Sequence, residues 1–341
     1  MKSLQLFFFT SCFLFFSKNL FAQLTPVWSN KMSAYIDVTG KEISPFKYST
    51  ASFFTDSLGL ISKADEYYTL SYGYINHLGE EVIPLVYDDA QLFHEGFALV
   101  MKDKENFIID KMNNKYNIDN LHFDWLNIVS DGLVIIQKDQ KFGYSNLKNE
   151  LIFPTEFDFA FSFSEGYAVA IKNQKIVILE KSGKQTRTNF SSSAHHFVNA
   201  LLPVQDSQTQ KWGVINTKLD TIVKFEYSFI SEFCNGFASF EKEGEQGQGL
   251  MNEKGEEVMD SRHYKIYSFS EGRLLAESGY GNTLLLFDEN FKEIAQYENT
   301  SLTFPPKFTN GLCLIGLFNK NGEKNDFYDV YINREGKIIW T

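Results

Sequence analysis

The sequence predicts an all-β fold built of tandem three- to four-stranded antiparallel meanders. Each repeat is about 36 residues long, and the array closes as a β-propeller-like ring. Three observations carry this. A Tyr-Ile-Asp/Asn pattern returns at near-constant spacing. A second pattern, Phe-x-Glu/Asn-Gly, returns in phase with it. No segment sustains the 3.6-residue apolar period of a helix. An open β-solenoid or spiral of the same repeats is the alternative arrangement.

The chain of 341 residues opens with an address. Residues 1–22 place Lys2 before an apolar run from Leu4 to Phe16, then Ser17-Lys18-Asn19 and Ala22. That layout is a secretory signal peptide, cleaved after Ala22. The run is too short to span a bilayer, which takes about 20 residues. Cleavage removes Lys2 and Lys18 and no acid, so the net charge goes from −11 to −13. The expected location is periplasmic, outer-surface or extracellular. Residues 23–341 are then a single array of eight to nine repeats.

The Asp/amide position of the first pattern falls at Asp37, Asn76, Asp110, Asn146, Glu180, Asn216, Asn252, Asp288 and Asn333. The Gly position of the second falls at Gly59, Gly96, Gly132, Gly166, Ala200, Gly236, Gly272 and Gly311. Each repeat becomes structure piece by piece. After the Gly comes a short apolar run such as Tyr167-Ala168-Val169-Ala170-Ile171, too short for a helix and bounded by turn residues, hence a strand. A polar turn, the Tyr-Ile-Asp strand and a turn bearing Gly or Asn follow, where positive φ costs little. A further strand such as Glu81-Val82-Ile83-Pro84 and a connector able to add a fourth strand end the unit. One meander cannot bury its own faces, and stacked copies can. The count is uneven, eight Gly-anchored strands against nine Tyr-Ile-Asp strands. A ring whose last blade is completed by both termini would absorb the mismatch.

Recurring residues have structural readings. Phe93, Phe163, Phe197, Phe233, Phe269 and Phe308 share one slot. Equal spacing is what an inter-unit core requires, so they are read as core rather than as platforms for sugar rings. Asp88, Asp124 and Asp158 follow an aromatic residue in the connector and are read as turn closers rather than Ca²⁺ ligands. Cys234 and Cys313 occupy different slots of non-adjacent units and are read as two buried free thiols.

At Lys211-Trp212-Gly213-Val214-Ile215-Asn216 the chain resembles the WG-repeat family. Tyr72-Gly73-Tyr74-Ile75-Asn76 and Lys141-Phe142-Gly143-Tyr144 are similar, with Tyr or Phe in place of Trp. The resemblance runs over nearly the whole chain after residue 22, although one unit alone keeps the Trp-Gly dipeptide. It implies a bacterial repeat protein, often of the surface or envelope, with no established reaction.

The residues yield no catalytic site, no cofactor site and no metal site. There is no His-Glu-x-x-His, no Cys-x-x-Cys and no Gly-x-Ser-x-Gly. His195-His196 are read as loop residues facing opposite sides of an extended chain. Gly244-Glu245-Gln246-Gly247-Gln248-Gly249 joins two strands and is read as a hairpin loop. The acidic balance argues against nucleic acid and anionic membranes. The longest insertion, between Gly311 and Asn333 with residues 319–326 at its tip, and the linker Ser62–Tyr67 are the places where a loop could carry binding. The function expected is a non-catalytic scaffold outside the cytoplasm that binds an unknown protein partner. A carbohydrate-binding or carbohydrate-cleaving propeller and a structural envelope component are the alternatives.

Overall fold

The computed structural model describes residues 24–29, 32–37, 40–120, 129–261, 264–278, 283–302, 305–318 and 327–340. The signal-peptide reading, Asp124 and the insertion's tip 319–326 lie outside them. No described residue is helical, and no described helix is long and apolar enough to cross a membrane. The strands form nine antiparallel sheets in a ring, so the chain is a nine-bladed β-propeller. The blades run Thr25–Tyr48, Thr50–Tyr87, Asp89–Tyr116, Leu133–Phe157, Phe159–Arg187, Phe190–Tyr227, Phe229–Met259, Tyr264–Tyr297 and Thr300–Trp340. Within each blade the strands lie side by side in chain order. In blade 2 they are Thr50–Thr55, Leu58–Ala64, Leu70–Ile75 and Glu81–Tyr87.

Each blade is one contiguous piece of chain, so no blade is completed by both termini. The uneven count comes from blade 1, and in blade 2 the anchor is displaced by two residues. Blade 1 uses Thr25–Ser29 as its Gly-anchored strand without the motif. In blade 2 the turn is Asp56-Ser57, both at positive φ, and not Leu58-Gly59. Ser57 stands where the other units carry Gly or Ala, which hid the motif.

The glycine of the Trp-Gly signature has a steric cause. In blade 2 Tyr72 pairs with Tyr87, but Tyr74 pairs with Ile83, so the last strand bulges over Gly73. A Cβ there would sit 2.6 Å from the Ile83 carbonyl oxygen and 2.8 Å from Pro84. Pro84 lies inside the bulge, where its missing N–H costs no ladder bond. Gly143 under Phe153-Pro154 and Gly213 under Val223 repeat the arrangement. Blade 5 has Val177 at this place, and there the last strand pairs directly, Val177 with Arg187.

The Phe-x-Glu-Gly motif latches blade to blade. Its two central residues both have positive φ, as in Glu95 (48°) and Gly96 (87°), the requirement of a type I′ hairpin turn. The acid then reaches the same turn of the next blade. Asp56 accepts the Gly96 N–H, and Glu95 accepts the Asp131 N–H at 2.8 Å. Asp131 accepts the Gly166 N–H at 2.7 Å, and Glu165 accepts those of Asn199 and Ala200 at 2.8 and 2.7 Å. Asn199 donates to Glu253 of blade 7, and Asn235 donates to the Phe269 carbonyl at 2.8 Å. Glu271 accepts the N–H groups of Asn310 and Gly311, both at 2.8 Å. Asn310 donates to the Leu24 carbonyl of blade 1 at 3.1 Å. The motif is therefore a belt running around one face of the ring. Charge-assisted bonds of this kind contribute about 1.5–3 kcal/mol. Glu271→Ala is accordingly expected to cost about 2 kcal/mol, read as a shift in urea midpoint at unchanged slope.

A second set of bonds between blades uses the Tyr of Tyr-Ile-Asp in the four blades that carry it. The hydroxyls of Tyr35, Tyr74 and Tyr144 donate to the carbonyls of Ser52, Gln91 and Phe161, each 17 residues on and in the next blade. Tyr331 of blade 9 does the same to Pro26 of blade 1. Burial pushes all four phenols above their ordinary value, so they stay protonated as donors. Around that last bond Val27, Ala34 and Ile36 pack against Leu312 and Tyr331. The ring is thus closed by packing of whole blades, which settles the choice against an open spiral.

Phe93, Phe163, Phe197, Phe233 and Phe308 are at most 2% exposed and form the core between blades. Phe269 occupies the same slot, half-buried against Phe237 and Phe291. Cys313 is a free buried thiol whose pKa burial pushes up to about 12. Cys234 is half-buried and not free, so the expectation of two buried free thiols holds for Cys313 alone.

Candidate functional site

A meander of four strands puts its first and third turns at one end and its second turn at the other. One face of the ring therefore carries the Glu-Gly turns and the turns after Tyr-Ile-Asp. Both sets are tied down. The Asp/Asn of the latter caps its own turn, as Asn216 Oδ1 accepts the N–H groups of Lys218 and Asp220, both at 2.9 Å. Asn76, Asp110, Asn146, Asn252, Asp288 and Asn333 repeat this pair of bonds.

The opposite face carries the hairpin tips, and these differ. Blades 3, 4 and 5 have two-residue tips, Asp103-Lys104, Asp139-Gln140 and Asn173-Gln174, all at positive φ. Asp88 and Asp158 accept the N–H groups of Asp103 and Asn173 at 2.6 Å, which confirms them as turn closers. Blade 2 extends its tip to residues 65–69, held by Asp65 Oδ1 on the N–H groups of Tyr67 and Thr69. Blades 6 and 7 extend theirs too, and Lys211 pairs with Glu243 between them. The Gly-rich run 244–249 is the blade 7 tip, a hairpin loop as read from the sequence.

Of the two loops singled out in the sequence, the blade 2 tip lies among the described residues, and it is exposed. Tyr67 and Tyr68 are 79% and 89% exposed, and Tyr68 sits at φ 63°. A left-handed conformation costs an L-residue with a bulky side chain about 1–2 kcal/mol. Asn tolerates it better. Tyr68→Asn is therefore expected to stabilise the fold by about 0.5–1 kcal/mol, measured by thermal unfolding. A lower melting temperature would show that the exposed ring supports the fold.

His195 and His196 do not face opposite sides. The segment bends there, and both rings lie against Phe161, at 4.5 and 6.3 Å. His196 Nδ1 lies 3.1 Å from Glu232 of blade 7, and its N–H donates to the same oxygen at 2.8 Å. Burial holds His195 below its ordinary value, and Glu232 opposes this in part. His77, stacked on Phe54, is lowered by burial alone. The folded chain thus binds these protons more weakly than the unfolded chain. The stability they contribute is complete above pH about 6.5 and falls as pH drops below it. Unfolding scans from pH 7.5 to 5 are expected to show that loss, and His195→Phe is expected to remove part of the slope.

Trp212 is buried edge-on against Phe229 and offers no surface ring. Among the described residues no group of three or more His, Cys, Asp or Glu is placed to hold a metal ion. What the geometry defines is a rigid ring with one tied face and one variable face.

A ring of nine repeated sheets latched in this way is a β-propeller scaffold. The sequence profile of the WG containing repeat matches residues 34–67, 72–116, 142–175 and 212–245, so the chain is a WG-repeat protein. No curated protein matches the sequence. Similar solved structures include Hsv2p of Kluyveromyces lactis, 13% identical, covering 84% of this chain and 97% of its own, TM-score 0.40. BamB of Moraxella catarrhalis is 9% identical, with 75% and 93% covered and TM-score 0.40. Apo AztD of Citrobacter koseri is 9% identical, with 81% and 94% covered and TM-score 0.40. Likeness at that level says nothing of what this chain binds.

Proposed function

We propose that the protein is a non-catalytic scaffold, exported by its N-terminal segment, that binds a protein partner on the hairpin-tip face. The observation that carries this is the contrast between the two faces. One is tied by side-chain bonds that link the turns of blades 2 to 9 and blade 9 to blade 1, so its turns are set by architecture. The other varies in length from blade to blade and bears the exposed aromatic side chains, where a rigid scaffold usually holds its recognition loops. Tyr and Trp are also the residues that dominate protein interfaces.

The test is cross-linking. Residues 23–341, with a photo-reactive residue at Tyr67 or Gln174 on the tip face or at Leu78 on the tied face, are exposed to exported proteins of the source cell. A salt-resistant partner trapped from the tip face supports the reading. Bait alone, or a partner trapped only from Leu78, overturns it.

A further inference from the structure

Among the described residues the exposed aromatic side chains are Trp28, Tyr67, Tyr68 and Tyr328. All four are at hairpin tips. Trp28 pairs with Ser33, one step from the end of the blade 1 hairpin. Tyr67 and Tyr68 lie in the blade 2 tip. Tyr328 pairs with Leu317, one step from the end of the blade 9 hairpin. Blades 9, 1 and 2 are consecutive in the ring, because Tyr331 bonds to Pro26 across the closure and Tyr35 bonds to Ser52 across the next junction. The four rings therefore form one arc on one face, although Trp28 and Tyr328 stand near opposite ends of the chain. The described residues of the other six blades put no exposed aromatic ring there.

Among the described residues of the arc the charges are Lys63, Asp65, Glu66 and Asp329, three acids to one base. Glu66 and Asp329 are exposed and make no ion pair within the described residues. Tyr68 is kept in a left-handed conformation that a smaller residue would hold at less cost. The chain itself sets lysines over tyrosine rings, with Lys47 4.9 Å from the centroid of Tyr48 and Lys265 5.1 Å from that of Tyr267.

We propose that the arc of Tyr328 and Asp329, Trp28, and Glu66 to Tyr68 binds a basic, Arg- or Lys-bearing segment of the partner. Cationic side chains lie over the exposed ring faces and pair with the free carboxylates. Charge complementarity selects this occupant. An uncharged glycan would stack on the same rings and leave the carboxylates without partners. An acidic segment would be repelled by them and by a chain of net charge −11. The assignment rests on the tip-face reading and names the chemistry of its partner.

The test uses a fluorescent Arg-Ser repeat peptide as probe. A Glu-Ser peptide, a Gly-Ser peptide and a linear glucan oligomer are the comparisons. The Arg-Ser peptide is expected to bind and the Glu-Ser and Gly-Ser peptides to stay free. Tyr67→Ala with Tyr68→Ala, and separately Trp28→Ala, leave the charge untouched and are expected to weaken binding about tenfold or more. Glu66→Gln with Asp329→Asn is expected to weaken it and to flatten its salt dependence. Unchanged unfolding midpoints of the Tyr67 and Tyr68 variants show that the fold is intact. Failure of the Arg-Ser peptide to bind overturns the assignment. So does binding that the aromatic variants leave unchanged, which is diffuse attraction to an acidic protein. Displacement of the peptide by the glucan makes the arc a carbohydrate site. If the arc variants still capture the cross-linked partner undiminished through Gln174, the tip-face reading stands and the arc assignment alone falls.

Discussion

Gly143→Ala is expected to cost about 3 kcal/mol, the upper part of the range for overpacking a closed site. The added Cβ would stand 2.6 Å from the Phe153 carbonyl oxygen and 2.8 Å from Pro154, and both contacts are backbone. No rotamer change relieves them. The bulged strand has to lift, and it carries Phe153 and Phe157 of the core shared with blade 5. Gly166→Ala is the comparison. Nothing lies within 4 Å of its Cβ, and Ala200 already fills that slot at φ 60° in blade 6. Its cost is the left-handed backbone alone, about 1 kcal/mol. Urea titration of both variants decides the matter. If the two midpoints coincide, the signature glycine is retained for some reason other than the strand above it.

Tyr331→Ala is expected to cost about 3–5 kcal/mol and to open the ring. Tyr331 is 1% exposed, lies in the core shared by blades 1 and 9, and bonds to the Pro26 carbonyl across the closure. Tyr331→Phe keeps the ring and drops the hydroxyl, leaving a buried carbonyl without its donor, for about 1–3 kcal/mol. Tyr144→Phe removes the equivalent bond between blades 4 and 5, where the chain itself also joins the blades. X-ray scattering separates the two. A closed ring of this length has a radius of gyration near ~20 Å. Tyr331→Ala should exceed that value before unfolding, and Tyr144→Phe should not. An unchanged radius for Tyr331→Ala would mean that blades 1 and 9 are held by other contacts.

Much of a blade was legible because its cause lies within one repeat. Asn216 caps its own turn two and four residues on, and Asp88 caps the next tip 15 residues on. Bonds that short leave a periodic trace in the chain. The recurring Phe could be read as core because a core imposes equal spacing. The second turn motif of blade 2 was misread by two residues because Ser57 replaces Gly, and the φ that marks the turn is not visible in a residue type. The role of the Glu in Phe-x-Glu-Gly was missed for another reason. Its partner is the backbone of the next repeat, and a backbone N–H has no letter.

The sequence by itself determined the repeat, the strand order inside a blade and the absence of helix among the described residues, since these follow from local period and turn chemistry. Tertiary structure decided the number of blades, the closure and the candidate site. Closure depends on Tyr331 meeting Pro26 and on Asn310 meeting Leu24, contacts between the two ends of the chain. Tyr74 and Tyr144 of inner blades share the type of Tyr331, and Asn199 and Asn235 share that of Asn310, so residue type does not mark the closure. The arc of Trp28, Tyr67, Tyr68 and Tyr328 exists because that closure brings blade 9 beside blade 1.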